Sequence, residues 1–446
     1  MKKQCSVLLF SILNCGFILA QKLDYTWIMG DNNYNKTSII KFPNSVMQID
    51  SSKYILPMNE ANGSICDKDG NLLFFTNGLQ IANKNFEIMK GGQRIVPSNT
   101  LANQYLKTGM PDLQFCMVLP YVNDDKKYYL LYSDLDIVQF PDKKYYYTAF
   151  NSLYSTIDFN ENPLGIVMNV DSIIFSDTLT SGQLAASRHG NGRDWWVILP
   201  GNQNYINHKL LINQNGLNYH SKQEIGSKND KLFGQSLFTP DGNKFIRVSI
   251  KRIGKPSGVD IYDFDRCSGE LSNLKQIILE DSLSVYSCGG AVSSNSRFLY
   301  VSYRNYIFQY DLESSDIAST KDTVAIYDKF IDPNTGFQIG FFLSQLAPDG
   351  KIYINTSNST AWLHVIDKPD EKGKACNVIQ HAVKLPTYHG FTMPNFPNYR
   401  LGPLKGSPCD TILGVANKDI KPENYGIKLF PNPSSTIIKI DITIPQ

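Results

Sequence analysis

Six histidines are the side chains of this sequence best placed for acid–base chemistry: His189, His208, His220, His364, His381 and His389. An imidazole titrates near neutrality, and modest changes of surroundings move it across that range. His189 lies in SRHGNGRDWW, with Arg188 before it and Arg193 and Asp194 after it. His389 precedes the segment GFTMPNFPNYRLGP, which carries Arg400. Gathered around one opening, Arg188, His189, His389 and Arg400 could hold an anion or a metal, or act as acid and base. The competing expectation is that they hydrogen-bond Gly- and Pro-rich loops to a scaffold. The sequence has no H-E-x-x-H, G-x-S-x-G or G-x-x-x-x-G-K-[ST], motifs that would announce a zinc hydrolase, a serine hydrolase or a nucleotide site. No C-x-x-C spacing points to zinc. We therefore assign no catalytic residue, no cofactor and no metal. Trp195 and Trp196 are adjacent, so on a strand they face opposite sides. We expect at least one of them in the core, against the alternative of an exposed ring stacking on a sugar.

The bulk numbers bound what could position such residues. The chain has 446 residues, 19% charged and 12% aromatic, with a net charge of +2. That composition is globular rather than disordered. Its lysines and arginines are scattered rather than gathered in a basic stripe, so nucleic acid is not an expected partner. Tyrosine is abundant, at 25 residues, and falls in runs such as KKYYLLYS and KKYYYTAF, which favour strands. Lys2 and Lys3 followed by the apolar Val7–Ala20 stretch read as a secretory signal peptide over residues 1–20, cut between Ala20 and Gln21. No later segment is long and apolar enough to be a transmembrane span. An exported chain meets an oxidising compartment. Of the six cysteines beyond the signal, Cys267 with Cys288 and Cys376 with Cys409 make the shortest loops and are the first expected disulfides. Buried free thiols are the alternative.

The scaffold announces itself by repetition. TPDGNKFI, SSNSRFLYVS and APDGKIYI each write a polar turn and then a short apolar strand, and DKDGNLLFF and NGRDWWVIL are related. Their turns fall near Asp69, Asp125, Asn191, Asp241, Asn295 and Asp349, a period of about fifty residues, which signals a solenoid, propeller or array. After each apolar strand comes an alternating one, as in GVDIYDFD, YIFQYDLE and WLHVID, and a fourth is readable in NLKQIILE and TVAIYDKF. Four strands per unit with almost no helical period predict an all-β propeller. Five residues before the turn markers stand Ser64, Ala186, Ser236, Gly290 and Ser344, all small, as crowding around a central axis requires. Strand-like sequence at residues 25–56 and an extended stretch at 388–402 would pair to close the ring, giving seven four-stranded blades, with six or eight as alternatives.

Several of these stretches, from WIMG and DKDGNLLFFTNG through RHGNGRDWWVIL and VDIYDFDRCSGEL to KLPTYHGFTMPNFPNYRLGP, resemble secreted propeller proteins of Bacteroidota. That resemblance implies a large extracellular propeller without agreed catalytic residues. The tail IKLFPNPSSTIIKIDITIPQ resembles the opening of a type IX secretion sorting domain, a small β-sandwich, with Pro431, Asn432 and Pro433 matching its first motif. The sequence stops after about two of its strands. The organisation expected is a signal peptide over 1–20, a β-propeller over 21–412, a linker over 413–425 and a partial sorting domain over 426–446. The function expected is a secreted or cell-surface, non-catalytic module that binds a protein or glycan and engages the outer-membrane secretion machinery. The alternative is an extracellular hydrolase or lyase with its site at the channel mouth.

Overall fold

A computed structural model describes residues 21–30, 36–139, 145–180, 182–201, 205–226, 233–250, 257–279, 288–303, 305–410, 427–430 and 439–442. The signal segment with Ala20, and the motif Pro431, Asn432 and Pro433, lie outside the described residues. Among those described, no helix is long and apolar enough to cross a membrane. The chain forms the expected seven-bladed propeller, with one short α-helix among the described residues, Thr100–Tyr105, capped by the Asn99 side chain accepting from Ala102 N. Five blades are sheets of four antiparallel strands, and the first two show three strands each. The second is extended by a bridge between Ala82 and Ile88. The third blade carries an extra strand, Asp136–Gln139, on its long third strand Tyr145–Asp158. A separate antiparallel pair joins Ile427–Phe430 to Lys439–Ile442.

Six innermost strands run in one direction: Gly63–Cys66, Met117–Pro120, Ala185–Arg188, Phe233–Phe238, Cys288–Val292 and Ser344–Leu346. Each leads through a tight turn into its second strand, so all six turns share one face of the ring, the turn face. The turns are built by side chains. Asn191, Asp241, Asn295 and Asp349 each accept from the backbone N–H two residues on, the habit that makes Asn and Asp turn residues. In the second and third blades the accepting residues are Asp67 and Asp124. The repeat markers read at Asp69 and Asp125 are therefore out of phase by two residues and by one.

The small inner positions are where the period placed them. Ser64, Ala186, Ser236 and Ser344 are buried, and a Cβ on Gly290 would stand 2.7 Å from Val248 Cγ2 of the neighbouring blade. Apolar clusters fill the spaces between successive blades. Trp196, Ile198, Phe245 and Tyr262 join the fourth to the fifth, and Val248, Val259, Val301 and Tyr310 join the fifth to the sixth. Burying about 25 cal/mol for each Å² of apolar surface at such seams holds the ring together.

Ring closure departs from expectation. The first blade's innermost strand, Thr26–Met29, runs opposite to its neighbour Gly63–Cys66: Cys66 N donates to Leu23 O, Ser64 Oγ to Thr26 O and Asn62 Nδ2 to Ile28 O. It stands in the rank of a second strand. The axial place inside it goes to the C-terminal segment, which forms no ladder. Pro394 and Pro397 have no N–H to offer one. Instead the segment threads the central channel from end to end. On the face opposite the turns, Thr392 accepts from Asn62 Nδ2 (2.9 Å) and from Asn355 Nδ2 (3.0 Å). Midway, Asn395 donates to Leu184 O and accepts from Gln114 Nε2, and Phe396 packs on Trp27. At the turn face, Asn398 donates to Pro240 O, Tyr399 to Val118 O, and Leu404 N to Gly190 O.

The disulfide follows from this path. Cys267, in the turn between the third and fourth strands of the fifth blade, pairs with Cys409, just beyond the exit of the threaded segment. Gly190 makes room, since a Cβ there would overlap the Cys409 sulfur. The expected pairings Cys267–Cys288 and Cys376–Cys409 are wrong. Cys288 opens the inner strand of the adjacent sixth blade at the face opposite the turns, and Cys376 is enclosed under the seventh blade. Both are buried free thiols, as are Cys66 and Cys116.

Candidate functional site

The four residues expected around one mouth do not converge. Arg188 ends the inner strand of the fourth blade and His189 begins its turn, so both lie at the turn face, as does Arg400. His389 ends the outermost strand of the seventh blade at the opposite face, fully buried. Its ring nitrogens face Gly390 O and Trp362 O. Three of the four are thus brought to one side and the fourth is excluded by the height of the ring.

At the turn face each has its own surroundings. Arg400 is an ion-pair partner of Asp24. Burial works against its charge, and the Asp24 carboxylate more than offsets this, so its pKa is raised. His189 Nδ1 accepts from Asn191 N, and burial lowers its pKa despite the nearby Asp194. Both serve to fix loops. Arg266, buried beneath them, donates to Arg188 O, His189 O and Gly402 O, tying blade four to the emerging C-terminal segment. Arg188 differs. It lies flat on Trp195, 4.0 Å from the ring centroid. Burial pushes its pKa down to about 10.

Two cavities among the described residues adjoin these side chains. The first, of about 280 Å³, is what the threaded segment leaves of the channel. Its walls are the small inner residues Ala186, Ser236, Gly290 and Ser344, and its only charged pair, Asp24 with Arg400, is self-satisfied. The second is an open groove of about 980 Å³ on the turn face, across blades two, three and four. Its floor is Arg188, Tyr399 and Leu23. Its rim carries Lys68, Asp69, Asp125, Lys126 and Arg193, and Tyr121 and Phe159 contribute aromatic surface. The turns that frame it are rigid because Asp67, Asp124 and Asn191 satisfy their backbones. The carboxylates of Asp69 and Asp125 make no hydrogen bond or ion pair among the described residues, although Asp69 N donates to Asp67 and Asp125 O accepts from Tyr128 Oη.

Both tryptophans are core. Trp195 is enclosed by Arg188 and Tyr399, and Trp196 donates to Arg266 O within the seam to the fifth blade. Neither is available to a sugar. Other histidines are also structural. Burial holds His208 at about 4 and His364 at about 3, while His381 pairs with Asp328 on the surface.

Sequence reasoning missed the groove itself, because Lys68, Tyr121 and Arg188 share no motif and meet only when three blades stand side by side. It also missed Glu60, on the face opposite the turns, whose carboxyl burial pushes up to about 7. The single signal for Glu60 is a lone acidic residue in the otherwise uncharged run ILPMNEANGSI. Among the described residues no group of three or more His, Cys, Asp or Glu could hold a metal ion.

No family model and no curated protein matches this chain. Among solved structures, it is similar to a Bacteroides uniformis protein provisionally named a 6-phosphogluconolactonase, at 10% identity and a TM-score of 0.49, over 82% of this chain and 98% of that one. A functionally unknown protein from Desulfotomaculum acetoxidans aligns at 13% identity and a TM-score of 0.40, over 82% and 97% of the two chains. At that level of likeness neither bears on what this chain binds.

Proposed function

We propose that this chain is a secreted or cell-surface propeller that binds a glycan or protein in the turn-face groove without transforming it. The observation that carries this reading is the contrast between the two cavities. The axis is filled by the chain's own C-terminal segment, whereas the groove presents unengaged polar and aromatic side chains on rigid turns, the usual setting of recognition. Of the groups expected at a channel mouth, His189, Arg400 and His389 are consumed in holding loops. Cleavage between Ala20 and Gln21 and export directed by the segment around Pro431, Asn432 and Pro433 complete the proposal.

Two experiments test it. The full chain is presented to glycan and protein arrays beside the triple variant Asp69→Ala/Asp125→Ala/Lys126→Ala, whose side chains hold no other part of the fold. Loss of a wild-type hit in the variant is the expected result, and hits that survive it place binding elsewhere. Fractionation of the native host with mass spectrometry of the mature termini then checks the address. A start at Gln21 and recovery from the surface or medium are expected; an intact chain retained in the periplasm refutes export.

The alternative, a hydrolase or lyase, has one observation in its favour. A carboxyl held near neutrality, as in Glu60, suits a general acid. Turnover of a polysaccharide or peptide by the wild type that disappears in Glu60→Gln would establish it.

A further inference from the structure

The groove contains a cation that the protein has buried and not neutralised. Arg188 is 7% exposed. A guanidinium offers five N–H donors, and the hydrogen bonds it makes run from Nη1 to Arg193 O and from Nη2 to Gln21 Oε1, each 2.7 Å. Its Nε is buried with no partner. No carboxylate among the described residues is within 4.0 Å of it. The nearest acidic neighbour, Asp194, is occupied by Arg193 Nε (2.7 Å) and Asn191 Nδ2 (2.8 Å). The other two arginines of the groove, Arg193 and Arg400, are both ion-paired. Burying a charge costs a great deal unless it is paired, so this guanidinium stands out from its neighbours. The one side-chain acceptor it has, the Gln21 amide oxygen, is neutral and belongs to an exposed residue preceding the first strand. That oxygen occupies the place a ligand carboxylate oxygen would take, at the edge of the groove.

We propose that Arg188 anchors the carboxylate of an acidic, uronate-bearing polysaccharide in the turn-face groove, displacing Gln21. The proposal rests on the groove being the binding site and names what it takes. A peptide fits less well. The groove is walled by turns whose N–H groups are already satisfied by Asp67, Asp124 and Asn191, so an extended backbone finds no sheet edge to pair with. A sugar chain needs none. Its hydroxyls match the unengaged Asp69 and Asp125 carboxylates and the Lys68 and Lys126 ammonium groups along the rim, and its rings have Tyr121 and Phe159 beside them. The carboxylate would exchange a neutral acceptor for a charge-assisted one, the stronger kind of hydrogen bond. Because Arg188 lies on Trp195, occupancy should also move the emission of that indole.

The test is calorimetric titration of the full chain, with tryptophan emission followed in parallel, against oligomers of polygalacturonate, alginate and hyaluronan and their carboxyl-reduced, neutral counterparts. At least one acidic oligomer should bind, its neutral counterpart at least about tenfold more weakly. Arg188→Gln, checked for folding by its melting temperature, should weaken the acid by a similar factor, and Gln21→Ala should bind it no less tightly than wild type. If Arg188→Gln does not fold, the acid-against-neutral comparison on the wild type decides alone. Equal binding of acid and neutral forms, or failure of all three acids, overturns the proposal. In that event an array ligand lost in the Asp69→Ala/Asp125→Ala/Lys126→Ala variant leaves the groove reading standing, an acidic peptide included. Ligands indifferent to that variant would bring down both.

Discussion

Glu60 carries its proton into the neutral range without help from any partner among the described residues. Burial alone raises it, to about 7, so the folded state holds a proton that the unfolded chain releases near its ordinary value of 4.5. The associated stability is present below pH 4.5 and is lost as pH rises through 7. Glu60→Gln should therefore melt a few °C higher than wild type at pH 8 and match it at pH 4.5. His208 and His364 act with the opposite sign. Burial holds them at about 4 and about 3, below the ordinary 6.5. Their contribution is intact above pH 6.5 and is lost as pH falls toward those values. Unfolding midpoints measured from pH 3 to 8 should thus show an acid limb that His364→Phe makes shallower. None of this was legible beforehand. A lone acidic residue in an apolar run and a histidine inside a strand pattern look alike whether they are buried or turned out, and only the packing of neighbouring blades decides.

At the scale of the element, the inner strands show how far periodicity reaches. Ser64, Ala186, Ser236, Gly290 and Ser344 were readable as axial positions because crowding acts on every blade at the same point of the repeat. Gly290 has no room for a Cβ, which would stand 2.7 Å from Val248 Cγ2. Gly290→Val should cost about 1–3 kcal/mol by overpacking against Val248, seen as a lower denaturant midpoint with an unchanged slope. The turn markers were readable too, but in the early blades their phase was not. DKDGN and NDDKK each offer more than one Asp able to cap the turn, and the one chosen is whichever backbone register brings to the N–H. The blade strands themselves were legible from their alternation, while the C-terminal stretch was misread as a closing strand. Its extended character was visible, and so were the two prolines that bar a ladder. Its side-chain bonds to five different blades follow no period and could not be seen.

On the scale of the whole molecule, the ring is held shut by that threaded segment and its staple. Ending the chain at His389 removes the axial lining of the first blade and leaves Trp27 without Phe396. The expected outcome is loss of a single cooperative transition, followed by calorimetry and by tryptophan emission. The staple is milder. Cys267 and Cys409 are separated by 142 residues, and chain-entropy arguments put the value of such a crosslink at about 3–5 kcal/mol. Cys409→Ser should keep the blades intact and lose amide protection chiefly over residues 398–410, as hydrogen exchange would report. Both cysteines were readable as candidates for disulfides, but not as partners of each other, because circular closure brings together turns that the sequence holds far apart.

The threaded segment also fixes when the molecule can become itself. The strand that needs an axial lining, Thr26–Met29, is made before the other six blades, and its lining is made after them. Whatever blades form during synthesis must wait, with the Trp27 side of the first sheet uncovered, until the threaded segment arrives. Maturation of the ring therefore follows synthesis of all seven blades, and until then the uncovered Trp27 surface is open to non-native association.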